Sequence, residues 1–319
     1  MHIMKSKGVL TMKSKQRKLN YNRKEQSALF SMQLPGILFI FIFSYLPMIG
    51  IIIAFKDYKF NLGMLGSPWN GLKNFEFLFK SNTFFTLVRN TVGYNVAFIV
   101  LSRLICVFCA VLLYNITNKY VIKFIQSGLF IPYLLSWIVV SYASYAFLAN
   151  DMGLINKLIK HFGGKQISFY NSPKYWPFIL TAFYLWKSIG FDTLVYYGTI
   201  LSIDSELFEA SSLDGASYIQ RVRYIILPHL KQVIIMLLIL SLGGIVKSDF
   251  GLFYYLPKDT GALYAVTDTL DTYINRAILV NGSMGSATAA GLIQSIVGMI
   301  LVIFTNKVVK KIDEDSALF

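Results

Sequence analysis

The chain has 319 residues, of which 55% are hydrophobic and only 14% charged, with a formal net charge of +14. A water-soluble fold of this length needs far more charge to cover its surface, so the composition points to a membrane protein. The positive charge does not mark a nucleic-acid binder: Lys and Arg crowd the N-terminus and the short loops, where they orient a membrane chain.

Residues 1–30 form a basic N-terminal segment. The first apolar run follows without a small-residue cleavage site, which predicts a retained span rather than a signal peptide. Six runs approach the length of about 20 apolar residues that a membrane helix needs. They are Gln33–Phe55, Thr91–Tyr114, Lys123–Leu148, Trp176–Leu201, Gln232–Val246 and Ser286–Thr305, the fifth being the weakest. The pattern therefore predicts an all-α polytopic membrane protein, with a six-helix domain over 31–306 and a tail at 307–319. No pair of broken hydrophobic segments stands in corresponding halves, the usual pointer to an inverted-repeat carrier. Nor does any span hold the His/Asp/Glu cluster expected of a membrane enzyme.

Cys106 and Cys109 share the second run without a second cysteine pair or a nearby His, so packing explains them. His2, His161 and His229 are scattered and suggest no metal site. Segments 1–30, 115–123, 202–231 and 306–319 hold most of the loop Lys and Arg, although the intervening loops are longer in total. That bias predicts both termini in the cytoplasm. In the outer loops, Gly66–Phe79 and Gly153–Gly163 mix Lys with apolar residues at helical spacing. Short helices on the membrane face and loops packed on their own domain both read this way.

Between the fourth and fifth runs, on the predicted cytoplasmic side, lies the stretch EASSLDGASYIQRVRYIILPHL, Glu209 to Leu230. Asp204 or Ser205 can cap a helix through Ala210, and Asp214-Gly215 can end it, since Gly tolerates the left-handed conformation. A second short helix can restart at Ser217 and end before Pro228. Ala210, Ser211, Gly215 and Ala216 leave little side-chain bulk, and Glu209 adds one charge. Such a knob suits docking better than catalysis, because it holds no nucleophile–base pair. A loop that merely joins two spans remains the plain alternative.

The segment resembles the EAA motif of permease subunits in binding-protein-dependent ABC importers: E-A-A, three residues, G, nine residues, I, one residue, L-P. Here Glu209-Ala210-Ser211, Gly215, Ile225 and Leu227-Pro228 keep every spacing, with Ser211 in place of the second alanine. Further along, FIPYLLSWIVV, LWKSIGFDTLVYYGTILSIDSELFEASSLDGA and DTYINRAILVNGSMGSATAAG are similar to the carbohydrate branch of that family, maltose-like and oligosaccharide-like. The resemblance implies a type I importer permease fold in a bacterial cell membrane. It also implies a coupling helix within 204–228 that docks an ATPase, with Asp214 and Ala216 among its contact residues. No G-x-x-x-x-G-K-[ST] occurs, so the chain has no phosphate-cradling loop, and ATP with Mg belongs to other polypeptides. The implied partners are a second, related permease, two ATPase subunits, an extracellular solute-binding protein and an oligosaccharide. An ion-gradient-driven sugar carrier is the alternative reading.

Ionisable residues inside spans cost about 2.5–3.5 kcal/mol on insertion scales and usually face an interior or a water-filled path. Arg103, Lys187, Asp192 and Lys247 are such residues, with Asp249 just outside, and for Arg103 an ion pair that fixes helix packing is the preferred reading. Sugars are held by aromatic faces and a few placed polar groups. Tyr133, Ser136, Trp137, Tyr184, Lys187, Ser188, Ser241 and Lys247 are the candidates for such a path. A cationic Lys187 or Lys247 would suit an acidic sugar. Gly282, Gly285, Gly291 and Gly298 with Ala287, Ala289 and Ala290 allow close helix packing in the last span, within the chain or against a partner.

Overall fold

The computed structural model describes residues 23–80 and 82–312. Most of the predicted basic segment and the end of the predicted tail lie outside the described residues. The chain divides into two units, residues 1–50 and 51–319.

The described residues of the first unit form one helical stretch, apolar from Leu34 on. Helix α1 (Arg23–Ile40) contains Pro35 and runs into a π turn at Phe41–Tyr45 and a 3-10 stretch that starts at Leu46. Phe39 and Phe43 pack with ring centroids 4.7 Å apart.

The second unit opens with a short helix α2 (Gly63–Gly66) and α3 (Lys73–Lys80), followed by α4 (Asn82–Tyr114). Helices α5 (Lys119–Leu134), α6 (Trp137–Leu148), α7 (Leu154–His161), α8 (Trp176–Leu201), α9 (Ser205–Leu213) and α10 (Tyr218–Arg221) come next. The chain ends with α11 (Leu227–Gly243), α12 (Phe250–Tyr255), α13 (Tyr264–Thr267), α14 (Leu270–Leu279) and α15 (Met284–Ile312). Among the described residues, five helical stretches are long and apolar enough to cross a membrane, or six if α5 and α6 count as one bent span.

Two expectations need correction. The third run is not one rod: α5 and α6 meet at 99° across Leu135 and Ser136. Both residues are extended, and the Ser136 hydroxyl accepts from the Val139 N–H to start α6. A second break, at residues 244–249, separates α11 from α12 and falls at the end of the fifth predicted run. Hydropathy cannot register the first break, because the residues around Leu135 and Ser136 stay apolar, whereas Lys247, Ser248 and Asp249 mark the second. Lastly, Pro228 does not stop a helix. The stretch Tyr218–Gly243 runs on as one, with a π turn at Val222–Ile226 just ahead of the proline. A widened turn accommodates the N–H that Pro lacks and the bulk of its ring.

Two clusters make the core, along the pairing of α4 with α8. Phe98, Val140, Trp176, Leu180, Leu252 and Phe253 form one; Cys106, Ala110, Tyr196, Ile200, Ile226 and Leu230 form the other. Lipid supplies no hydrophobic drive between membrane helices, so close backbone approach and internal polar bonds carry their packing. Gly190 on α8 shows this directly: a Cβ there would lie 1.9 Å from the Leu129 carbonyl oxygen of α5. The segment before α3 is held similarly. Lys56 is buried and its ammonium donates to the Met64 and Leu65 carbonyls, while Asn74 donates to the carbonyls of Ala54 and Lys56. Helix α7 is tied to its own domain, because buried Asn156 donates to the carbonyls of Ala149, Asn150 and Ile167.

Candidate functional site

The segment 204–228 folds as two short helices with a sharp corner. The Asp204 carboxylate accepts from the Glu206 N–H at 3.0 Å and caps α9. At the other end, the Ala216 N–H donates to the Ser211 carbonyl and the Gly215 N–H to the Ser212 carbonyl, with Gly215 at φ +70°. That paired closure is a Schellman cap, which needs a left-handed residue after the helix. Ser217 then opens α10 with a reciprocal capping box: its hydroxyl accepts from the Gln220 N–H while the Gln220 side chain accepts from the Ser217 N–H. The local sequence thus fixes both the turn and the direction of the next helix.

Tertiary packing sorts the predicted contact residues. Glu209, Ala210, Asp214 and Gly215 are exposed, and Leu213 at the corner is 90% exposed. Ser211 and Ala216 are half-buried, and the Ser211 hydroxyl donates back to the Phe208 carbonyl. Phe208 packs on Tyr114 with centroids 5.3 Å apart, and Ile225 packs against the second core cluster. Leu227 and Pro228 remain exposed at the start of α11. Tyr218 accepts a 2.5 Å bond from Asn115 at the end of α4. The result is an exposed corner bolted from beneath to α4 and α8. Ile225 belongs to the bolt rather than to the exposed face.

Four of the predicted path residues meet at the break between α5 and α6. The Lys187 ammonium, on α8, donates to the carbonyls of Pro132, Tyr133 and Leu135 at 3.3, 2.8 and 2.6 Å. It also lies over the rings of Tyr133 and Trp137, at 5.7 and 5.4 Å from their centroids. The Pro132 carbonyl also accepts from the Leu135 N–H, so the cation satisfies the Tyr133 and Leu135 carbonyls, which have no helical partner at the C-terminus of α5, and opposes the negative end of the dipole. Lys187 is therefore committed to the backbone. Ser136 is exposed beside it.

Trp137 connects the two breaks. Its indole N–H donates to the Asp249 carboxylate at 2.8 Å, and the other Asp249 oxygen accepts from the Leu252 N–H to cap α12. A Cβ on Gly251 would meet the Trp137 ring at 2.1 Å, so any side chain there would push the ring out of place. Asn95 of α4 donates to the Ile245 and Lys247 carbonyls at 2.8 Å each, which stitches the unwound stretch after α11. The Lys247 side chain is exposed. The sequence candidates, which are ionisable, aromatic or hydroxyl side chains, do not include Asn95; an uncharged amide in an apolar run is the available signal. Irregular backbone at membrane depth persists only where protein buries it or where it borders water.

The remaining candidates lie elsewhere. Tyr184 stacks on Phe98 in the core, with centroids 3.9 Å apart and rings 7° from parallel, and Ser188 is half-buried one turn along. Ser241 accepts a 2.6 Å bond from Arg103, whose guanidinium also pairs with Asp192 at 2.5 Å. On the far side of the second break, Asp268 accepts from Thr272 and Arg276, and burial pushes its carboxyl above the ordinary range against the pull of both.

Residues 107–314 match the model of the binding-protein-dependent transport system inner membrane component family. The chain is 36% identical to the polygalacturonan/rhamnogalacturonan transport system permease protein YteP of Bacillus subtilis (strain 168), over 97% of this chain and 95% of that protein. A crystal structure of a bacterial ABC transporter involved in the import of the acidic polysaccharide alginate contains a similar chain, with a TM-score of 0.83 and 29% identity over 91% of this chain and 97% of that one. The alginate transporter in complex with an alginate pentasaccharide-bound periplasmic protein matches at a TM-score of 0.81 and 29% identity, over 91% and 96% of the two chains. The fold is that of an ABC importer permease, and the chain belongs to the family of inner membrane components of binding-protein-dependent transport systems.

Proposed function

We propose that this chain is one transmembrane half of an ATP-driven importer that moves an oligosaccharide by alternating access. The observation that carries the coupling role is the exposed corner at Glu209–Ala216, held rigidly from beneath by Phe208 and Ile225. A rigid lever transmits displacement; a free loop absorbs it. Partner ATPases, which bind ATP and Mg, dock against Glu209, Ala210, Leu213 and Asp214 on the cytoplasmic side, and both termini share that side. The continuous helix Tyr218–Gly243 carries the movement from the corner to the two breaks. There, Tyr133, Ser136 and Lys247 are the exposed candidates for sugar contact. The carbohydrate assignment rests on the relatives, which are named for polygalacturonan or rhamnogalacturonan and for alginate. A second, related permease and an extracellular binding protein complete the assembly.

The test is a pull-down from solubilised membranes with wild type beside Glu209→Ala, Gly215→Trp. Wild type retains an ATPase and a second permease, and the variant loses the ATPase while keeping the permease. Absence of an ATPase from both samples would defeat the coupling assignment.

A further inference from the structure

Among the described residues, the two with left-handed backbone other than glycine sit side by side: Lys258 at φ 54° and Asp259 at φ 44°. Strain of this kind costs on the order of 1–3 kcal/mol per residue and persists only where the surroundings over-determine it, often at ligand sites. Here the surroundings do so. The N–H groups of Lys258, Asp259 and Thr260 donate to the carbonyls of Tyr255, Tyr254 and Pro257, and the buried Leu256 and Pro257 anchor the turn. Asp259 faces the Arg276 guanidinium at 3.8 Å.

The turn closes one side of a cavity of about 340 Å³ against α6, lined by Ser141, Tyr142, Tyr254, Tyr255, Lys258 and Asp259. That volume falls in the range of small-molecule sites. The Lys258 ammonium lies 3.3 Å from the centroid of the Tyr145 ring and 5.9 Å from that of Tyr142. Both tyrosines and Lys258 are exposed. Unlike Lys187, whose charge is committed to three carbonyls, Lys258 presents its ammonium at the mouth of an aromatic pocket.

We infer that this cavity is a subsite for an acidic sugar residue, a hexuronate of the incoming oligosaccharide. The Lys258 ammonium pairs with the sugar carboxylate, the Tyr142 face stacks on the ring, and Asp259, which shares Arg276 with Asp268, accepts from sugar hydroxyls. This rests on the oligosaccharide reading and adds a chemical class to it. The strained backbone holds the lysine Cα in place, so the charge is positioned before the ligand arrives.

The test measures binding of trigalacturonate, and of its neutral methyl ester, to the assembled permease–ATPase complex in detergent, beside ATP-dependent uptake in proteoliposomes supplied with the binding protein. Asn tolerates the left-handed conformation, so Lys258→Asn keeps the fold and removes the charge. The expected result is a loss of trigalacturonate affinity of about tenfold, since a charge-assisted bond is worth roughly that. Binding of the ester is unmoved, and Lys258→Arg retains wild-type affinity. Equal trigalacturonate affinity in wild type and Lys258→Asn, with uptake intact, overturns the subsite and leaves sugar import standing. So does equal wild-type affinity for acid and ester. Failure of the wild-type assembly to take up any oligosaccharide overturns the import reading itself.

Discussion

Replacing Gly190 by alanine tests the packing that positions the break between α5 and α6. The added Cβ would stand 1.9 Å from the Leu129 carbonyl oxygen and 3.1 Å from the Phe130 nitrogen, both backbone atoms that no rotamer change can clear. Real Cβ contacts stay beyond 3.0 Å, so α5 and α8 must separate locally by at least about 1 Å. A shift of that size stretches the bonds from Lys187 to Pro132, Tyr133 and Leu135, now 2.6–3.3 Å, to or beyond the limit for a hydrogen bond. Overpacking costs about 1–3 kcal/mol, and weakened bonds to one ammonium add about 1 kcal/mol or more. On the scale of a domain of 150–250 residues, the unfolding midpoint should fall by about 5–10 °C. Gly198 on the same helix provides the control, because nothing lies within 4 Å of a Cβ there. Scanning fluorimetry of the detergent-solubilised protein reads both variants through Trp137, Trp176 and Trp186. A Gly190→Ala midpoint equal to that of Gly198→Ala would refute the backbone-contact argument.

Lys187→Met takes the donor from the Tyr133 and Leu135 carbonyls at the end of α5, while Pro132 keeps the Leu135 N–H, and the expected loss is about 2 kcal/mol, measured by the same midpoint shift. Wild-type stability would mean that the ammonium is dispensable to the helix end. Arg103→Met and Asp192→Leu should each destabilise by up to about 3 kcal/mol and the double variant by clearly less than their sum, because one removal strands the partner's charge. Additive midpoint shifts would show that the pair is not coupled. Gly215→Ala places a Cβ at φ +70° and should cost about 1 kcal/mol, loosening the Schellman closure and raising hydrogen exchange at 215 and 216. Unchanged exchange there would argue against that closure as the clamp.

Sequence alone determined the membrane class, the ends of α8 at Trp176 and Leu201, and the capped corner at Asp204, Gly215 and Ser217. Each is a local property: apolar length, a side chain that reaches its own backbone, or a residue that tolerates positive φ. The motif around Glu209 was legible for the same reason, since its spacing is set within one turn-and-helix unit. Tertiary structure decided the rest. The break at Leu135–Ser136 depends on a lysine more than 50 residues away, so no local pattern announces it. The roles of Lys187 and Ile225 changed for that reason too: a cation offered to a ligand and a cation capping a helix look alike until the neighbouring carbonyls are placed. Pro228 read as a helix stop because propensity counts a missing N–H, whereas the π turn ahead of it supplies the room that propensity cannot see. The turn at Lys258–Asp259 was the least visible, since neither residue prefers a left-handed backbone and only the bonds to Tyr254 and Tyr255 and the buried anchors on either side hold it there.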